Sequence, residues 1–275
     1  MFDKQTQAAR AAQFREQHRS TQLLILPNIW DSLGARLLAK LGYPSIATAS
    51  VSTALANGYV DGEKIPFPHL LEIVQKISSS VPLPLTVDVE RGFADNLSQL
   101  QENIRQLIEH GAIGINIEDS RPDHKSLNPI DEQCRKIEAI REMGTQIGVP
   151  IVINARTDVF IIDQDDVALE EGIKRGRAYK TAGADCVYPV AISSYEAVSH
   201  FTRGVGMPVN VLLMKSIPDL KRLKEIGVAR VSLGPNLLAH VLGTMKEIAE
   251  GLKHDDSSAF FSRELLSREF RDSLV

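Results

Sequence analysis

Residues 109–119 read EHGAIGINIED. A polar helix end meets a glycine, an apolar β-branched run follows, and the run finishes in acids. The first part of this event recurs in KLGYPSI (40–46), TAGADCV (181–187) and EIGVARV (225–231). In each phrase a glycine, Gly42, Gly111, Gly183 or Gly227, stands between a helical pattern and a strand. A glycine there can take the left-handed conformation that ends a helix. The chain therefore repeats a helix-to-strand unit.

Short apolar runs mark the strands: 23–26, 44–48, 84–89, 113–118, 150–155, 185–190, 208–213 and 229–234. Helical patterns separate them at 32–41, 66–79, 96–110, 131–146, 165–182, 193–203, 218–226 and 236–253. Strict alternation of strand and helix implies βαβ units around a parallel sheet. Several strands are apolar on both faces, as a sheet covered by helices requires. Eight such units predict an α/β fold of the (β/α)8 barrel type, a TIM barrel, which usually takes about 250 residues. The whole chain, 1–275, is read as one barrel domain. The rival is an open doubly wound sheet, which usually carries a glycine-rich turn after its first strand; LPNIWDS (26–32) supplies none.

Two segments fall outside the repeat. An N-terminal helix is expected over about 4–19. At the other end, 256–275 carries Phe260, Phe261, Leu265, Leu266 and Phe270 at roughly helical spacing. That stripe packs either on its own barrel or on another subunit.

Composition narrows the function classes. The 275 residues are 43% apolar and 24% charged, with a net charge of −4, so no basic surface for nucleic acid is implied. The N-terminus lacks the apolar core of a signal peptide, and no window is long and apolar enough to span a membrane. The two cysteines, Cys134 and Cys186, fit a reduced cytoplasmic protein better than a disulfide framework.

Function in such a barrel collects where strands end. LTVDVE (85–90) and INIED (115–119) place Asp88, Glu90, Glu118 and Asp119 at the ends of the third and fourth strands. Side chains alternate along a strand, so Asp88 and Glu90 share one face, as do Asn116 and Glu118. Carboxylates converging on a barrel mouth repel and raise one another's pKa. A hard divalent cation such as Mg2+ relieves this with one or two carboxylates plus waters and substrate. The competing reading has these acids capping helices or pairing with Arg91 or Arg121. Strand five ends in NARTD (154–158), setting Asn154 and Arg156 on one face. An arginine there is a fork for a carboxylate or phosphate, or the partner of a nearby acid. After strand two, TASVSTALANGYVDGE (48–63) reads as a long loop of small residues whose backbone N–H groups can approach an anion. Asp61 follows Gly58 and lies within reach of the metal's waters. His110 reads as a helix-end partner, and Gly234 as a tight turn or a phosphate contact. Asn210, on strand seven, faces the interior.

Five stretches now carry a resemblance: PNIWDSLGARLLAKLGYPSIATAS (27–50), the G-x-x-D of NGYVD (57–61), TVDVERGF (86–93), GINIED (114–119) and NARTD (154–158). Together, in this order, the chain resembles the isocitrate lyase/phosphoenolpyruvate mutase superfamily over roughly 20–255. The resemblance implies a Mg2+-dependent barrel acting on 2-oxo acids, assembled as a homotetramer with its eighth helix exchanged between neighbouring subunits. It implies Asp88 as the central metal-associated aspartate, with Glu90 and Glu118 in the metal shell. It places Asp61 near the reacting group and Arg156 on the substrate's carboxylate or phosphonyl end. The Ala49–Ser50–Val51 backbone corresponds to the segment that binds the 2-oxo acid. Asn116, Asn154 and Asn210 complete the expected substrate-binding set.

One stretch departs from the pattern. The superfamily's C–C lyases carry a cysteine, their proton donor, on the loop after strand four; here that loop reads SRPDHKSLNP (120–129) and has none. Cys134 lies later, on a predicted helix, as a packing residue. The phosphonate-handling branch uses lysine and asparagine on this loop, where His124, Lys125, Ser126 and Asn128 are the available residues. The expectation is a Mg2+-dependent lyase or decarboxylase working through a pyruvate enolate. Phosphonopyruvate hydrolysis, phosphoenolpyruvate mutation, and a non-catalytic 2-oxo acid binding protein are the alternatives.

Overall fold

Proline 27 sets how the ring of strands closes. The computed structural model describes residues 2–123, 125–217, 219–262 and 264–275. A first helix, α1 (Lys4–Gln17), leads into one strand that Pro27 divides into β1 (Leu24–Leu26) and β2 (Asn28–Ile29). There follow α2 (Ser32–Lys40), β3 (Ile46–Thr48), α3 (Ser50–Ala56), α4 (Phe67–Ser80), β4 (Leu85–Asp88), α5 (Leu97–Glu109), β5 (Gly114–Glu118), α6 (Ile130–Ile147) and β6 (Val152–Thr157). The second half runs through α7 (Val159–Ile162), α8 (Asp166–Thr181), β7 (Cys186–Pro189), α9 (Tyr195–Val205), β8 (Asn210–Leu212), α10 (Leu220–Glu225), β9 (Arg230–Ser232) and α11 (Asn236–Lys253). Two short helices, α12 (Ser258–Phe261) and α13 (Arg268–Asp272), end the chain.

All described strand pairs are parallel. β1 pairs with β9, and β2 with β3, so the divided strand changes partner at Pro27. Proline has no N–H to give a ladder, which makes it the natural point for that change. The row continues from β3 to β7, and a Val187–Val209 bridge joins it to the β8–β9 pair. The result is a closed (β/α)8 barrel, as the alternation predicts.

Local chemistry fixes the helix ends. Asp31, Asn96, Asp165 and Ser194 each accept a backbone N–H from the first turn of α2, α5, α8 and α9, at 2.7, 2.9, 2.7 and 3.1 Å. The four predicted glycines all have positive φ: 82°, 102°, 106° and 84° at positions 42, 111, 183 and 227. At Gly111 the requirement is double, since an added Cβ would collide with the Ser78 side chain.

Helix α1 closes the end of the barrel opposite the mouth. Ala11 and Phe14 are fully buried against Leu24, Leu26, Ala47, Ile113 and Val152, near the strand starts. Gly114 leaves the space: a Cβ there would lie 3.1 Å from the Phe14 ring. Burying a phenylalanine of this kind stabilises by about 1.5–3 kcal/mol.

Three expectations change. The 48–63 segment is not all loop, because Ser50–Ala56 forms α3. Its run of small residues, SVSTALA, carries no glycine or proline to break a helix. The C-terminal apolar stripe is not one helix: α12 ends at Phe261, α13 starts at Arg268, and Leu265 and Leu266 lie between them. The stripe also divides its packing. Phe261 and Leu265 remain 73% and 67% exposed, whereas α13 docks on α2, with Leu274 buried and its carbonyl accepting from Arg36 at 3.0 Å. Among the described residues, no helix is long and apolar enough to cross a membrane.

Candidate active site

At the C-terminal ends of the strands, a cavity of about 190 Å3 is lined by Thr48, Ala49, Ser50, Val51, Asp61, Asp88, Asn116 and Arg156, together with Asn28, Tyr188, Arg230 and Ser232. Strand register builds its central feature. Asp88, Asn116 and Asn154 sit side by side on β4, β5 and β6. Asn154 donates to Asn116 Oδ1 at 2.8 Å, and Asn116 donates to Asp88 Oδ1 at 2.9 Å. The other carboxylate oxygen, Oδ2, accepts the Ser50 N–H at 3.0 Å. Three elements thus aim one carboxylate into the cavity. The Asn154–Asn116 pair acts from behind it: Asn154 is buried and does not line the space.

Two register positions higher, Glu118 faces Arg156 across β5 and β6. Their side chains form an ion pair at 2.9 Å, and Arg156 Nε and Nη2 also donate to Asp158 at 2.5 and 2.8 Å. Ser120 donates to Glu118 Oε1 at 2.6 Å. Burial pushes Glu118 up to about 7, against the pull of Arg156. Burial works against the Arg156 charge as well, but Glu118 and Asp158 hold it above its ordinary value.

Glu90 does not continue the face of Asp88. Its φ of 49° turns the chain out of the strand, a conformation uncommon for a residue with a side chain. Both its carboxylate oxygens accept the Glu63 N–H, at 2.8 Å. Glu63 in turn binds Arg91 at 2.6 Å and the Phe93 N–H at 2.7 Å. Burial first, and then Asp61, raise Glu90 to about 8. Asp61, at the rim, is raised by burial and by Asp88, while the Ser50 hydroxyl and Arg156 pull it down.

Asp119 departs from the sequence expectation. It is fully buried and turned away from the mouth, accepting from Tyr179 Oη at 2.6 Å, Arg175 at 3.1 Å and the Asp158 N–H at 2.9 Å. Asn210 is buried beneath the cavity, where it accepts from Ser232 at 3.1 Å. Lys125 is exposed and lines neither the 190 Å3 cavity nor the larger one beside it, and its backbone N–H donates to Asp123 Oδ1 at 2.9 Å. His124 lies outside the described residues. Cys134 stands on α6, packed against the core, and burial raises its thiol. Gly234 lines the cavity wall, and both its N–H and that of Leu233 donate to Asn28 Oδ1, at 2.8 and 2.9 Å. A second cavity, about 750 Å3, lies beside the mouth between the Glu63–Phe67, Arg91–Leu100 and Glu132–Lys136 stretches.

Among the described residues, no group of three His, Cys, Asp or Glu side chains could cage a metal by itself. The donor chemistry still suits a hydrated hard cation. Asp61, Asp88, Glu118 and Asp158 gather around Arg156, with Glu90 near Asp61 and Asp88, and Asp61, Glu90, Glu118 and Asp158 are each raised by burial and by a neighbouring acid. Mg2+ needs only one or two protein carboxylates, with waters and substrate completing its shell.

Sequence reasoning missed Asn28, Tyr188, Arg230 and Ser232. A signal existed for two of them. In ARVSLG an arginine interrupts a buried strand, and Arg230 and Ser232 fall on one face by alternation.

The family model for phosphoenolpyruvate phosphomutase matches residues 14–253. A crystal structure of a candidate phosphonomutase from Burkholderia cenocepacia J2315 is 38% identical, covers 88% of this chain and 99% of its own, and superposes with a TM-score of 0.84. A candidate lyase/mutase from the same organism is 31% identical, covers 98% of this chain and 96% of its own, and has a TM-score of 0.89. The 2-methylisocitrate lyase of Bacillus subtilis is 26% identical over 206 residues, 72% of this chain and 65% of that enzyme. With the family model matching residues 14–253 and these structures sharing the barrel, the chain belongs to the phosphoenolpyruvate phosphomutase family, within the isocitrate lyase/phosphoenolpyruvate mutase superfamily.

Proposed function

We propose that the chain is a Mg2+-dependent lyase that breaks a C–C bond next to a 2-oxo acid, or decarboxylates one, through an enolate. The observation that carries this reading is the aimed carboxylate of Asp88. It is fixed by Asn116 and the Ser50 N–H in a cavity of about 190 Å3 that it shares with Asp61 and Arg156. The volume suits a small acid. Asp88 would hold Mg2+, and Asp61, Glu90 and Glu118 would reach it through waters. When bound, the ion supplies positive charge to the oxygen on which negative charge develops.

The chain's own residues do the rest. The Ala49–Ser50–Val51 segment and Asn116 orient the 2-oxo acid. Arg156, anchored by Glu118 and Asp158, holds the far side of the cavity. In decarboxylation the bond to the leaving carboxylate breaks, and its electron pair stays on the carbon next to the oxo group. Carbon dioxide leaves, and a proton then converts the enolate to the product 2-oxo acid.

Similarity to the Burkholderia candidate phosphonomutase favours a second reading, in which the broken bond is P–C. A third, a binding protein that keeps the acid intact, follows from the loop at 120–129, which lacks a cysteine. Incubation with Mg2+ and oxaloacetate, 2-methylisocitrate, 4-hydroxy-2-oxo acids or phosphonopyruvate separates the three. Pyruvate from a carbon acid supports the lyase. Phosphate release from phosphonopyruvate, or its conversion to phosphoenolpyruvate, supports P–C chemistry. Tight oxalate binding with every acid left intact supports the binding protein and sinks the enzymatic reading.

We also read the apolar outer face of α11 as an assembly surface covered by another copy of the chain in a homotetramer. Val241, Leu242 and Met245 are 41%, 48% and 60% exposed, and Leu238 alone of the helix is buried.

A further inference from the structure

Among the described residues, Arg230 is a buried cation without an acidic ion-pair partner. It is 2% exposed, on β9, in the interior of the barrel. Its Nε makes one long hydrogen bond, 3.2 Å to Ser232 Oγ, and its Nη1 has no partner. The other arginines that reach inward are neutralised: Arg156 by Glu118 and Asp158, Arg175 by Asp119, and Arg15 and Arg141 by Asp185. Facing it on β8, Asn210 Nδ2 is also buried and, among the described residues, unpaired. Taking a guanidinium out of water without a counter-charge is costly, so a fold keeps one only where something repays it. Arg230 lines the same small cavity as Asp88 and Asn116.

We propose that Arg230, with the Ser232 hydroxyl, is the anion-binding residue of this cavity and receives a carboxylate of the substrate. The assignment rests on the reading of the cavity as a 2-oxo acid site. It differs from the sequence expectation, which gave the carboxylate to Arg156. The Arg156 fork is already spent, with Nη1 on Glu118 and Nε and Nη2 on Asp158. The Arg230 side chain lines the cavity, and among the described residues its buried Nη1 has no partner. A guanidinium matches the planar carboxylate in shape and charge. The class of ligand that follows is a small, at least dianionic acid, with one end at the Asp88 carboxylate and its metal and the other at Arg230.

Titration calorimetry with oxalate and Mg2+ tests this on the full chain, using wild type, Arg230→Gln and Arg230→Lys. Thermal melts without ligand are run alongside. Arg230→Gln is expected to weaken oxalate binding about a hundredfold, because one charge-assisted fork is lost. Its unliganded melting temperature should stay level or rise, because an uncompensated buried charge is gone. Arg230→Lys should recover part of the affinity. Oxalate binding in Arg230→Gln equal to wild type would overturn the assignment and leave the lyase reading standing. Failure of both variants to fold would also overturn it, by making Arg230 a structural residue. Absence of oxalate binding in wild type overturns the lyase reading, and this assignment with it.

Discussion

Glu118 and Arg156 occupy facing positions on β5 and β6, and their side chains meet at 2.9 Å. Register alone brings them together: each ends an apolar run, and the two runs are hydrogen-bonded neighbours. The pair is nearly dry, with the side chains 3% and 18% exposed. Breaking a buried pair leaves a charge without compensation, which costs about 3–5 kcal/mol. Arg156→Met is therefore expected to lower the free energy of urea unfolding by about 3 kcal/mol at neutral pH. Adding Glu118→Gln should return at least about 1 kcal/mol, since the orphaned acid is removed. Equal stability of wild type and Arg156→Met would mean that the pair contributes nothing.

On the proposed reading, metal affinity depends on Asp88, whose carboxylate the Asn154–Asn116 pair holds in place. Asp88→Ala should abolish Mg2+-dependent oxalate binding and leave the far-ultraviolet circular dichroism unchanged. Asn116→Ala removes one of the groups that hold the carboxylate, so it should weaken binding about tenfold without abolishing it. Oxalate affinity that is unchanged in Asp88→Ala, or indifferent to EDTA in wild type, rules out the site as proposed.

How much of this was legible follows from the kind of force involved. The strands and helices could be placed from hydrophobic period and glycine position, because those depend on neighbours in sequence. The ladder was half legible: alternation put Asp88, Asn116 and Asn154 on inward faces, but their hydrogen bonds depend on register between strands. Glu90 was misplaced because a positive φ redirects its side chain toward Glu63, and no local pattern announces that conformation. Arg230 interrupts the apolar run ARVSLG and so left a signal, but the sequence does not say whether such a charge is paired. Its meaning lies in the counter-charge that three-dimensional packing fails to provide.

Cys134 tests the reading of the loop at 120–129. The thiol lies on α6 among core residues, and burial, Glu138 and Asp131 all keep it protonated. Cys134→Ser should leave turnover within about twofold of wild type, whereas loss of a positioned acid removes a factor of about 10²–10⁴. Collapsed turnover with intact oxalate binding would make Cys134 the proton donor and restore a cysteine-dependent mechanism.

His18 gives the fold a dependence on pH. It is buried at the end of α1, its Nδ1 2.8 Å from the Phe14 carbonyl. Burial, aided by Arg230, lowers its pKa from 6.5 to about 4. Above pH 6.5 folded and unfolded chains are both neutral here, and the full stability is present. As pH falls from 6.5 towards 4, only the unfolded chain binds the proton, so stability is lost across that window, by up to about 3 kcal/mol. Glu118 and Glu90 run the other way: their raised values favour folding at low pH and cost stability as pH rises. The comparison with His18→Gln isolates the histidine. Its stability should fall less between pH 6.5 and 4 than that of wild type. Parallel profiles would show that His18 is not held neutral.

The C-terminal segment carries the last prediction. Helix α13 lies on α2, where Lys40 contacts Ser273 and sits 5.3 Å from the centre of the Phe270 ring. Phe261, Leu265 and Leu266 stay exposed, as do Val241, Leu242 and Met245 on α11. Exposed apolar side chains of this kind fit the assembly surface proposed above. If another copy covers it, deleting residues 256–275 removes part of the contact and uncovers the α2 surface. Both the native mass in light scattering and the melting temperature should then fall. Met245→Asp should lower the mass without touching the tail, because a charge placed in an apolar interface is left without a partner. A truncated chain that keeps its native mass but melts earlier would confine the tail to its own barrel. Native mass retained in Met245→Asp as well would leave α11 without a role in assembly.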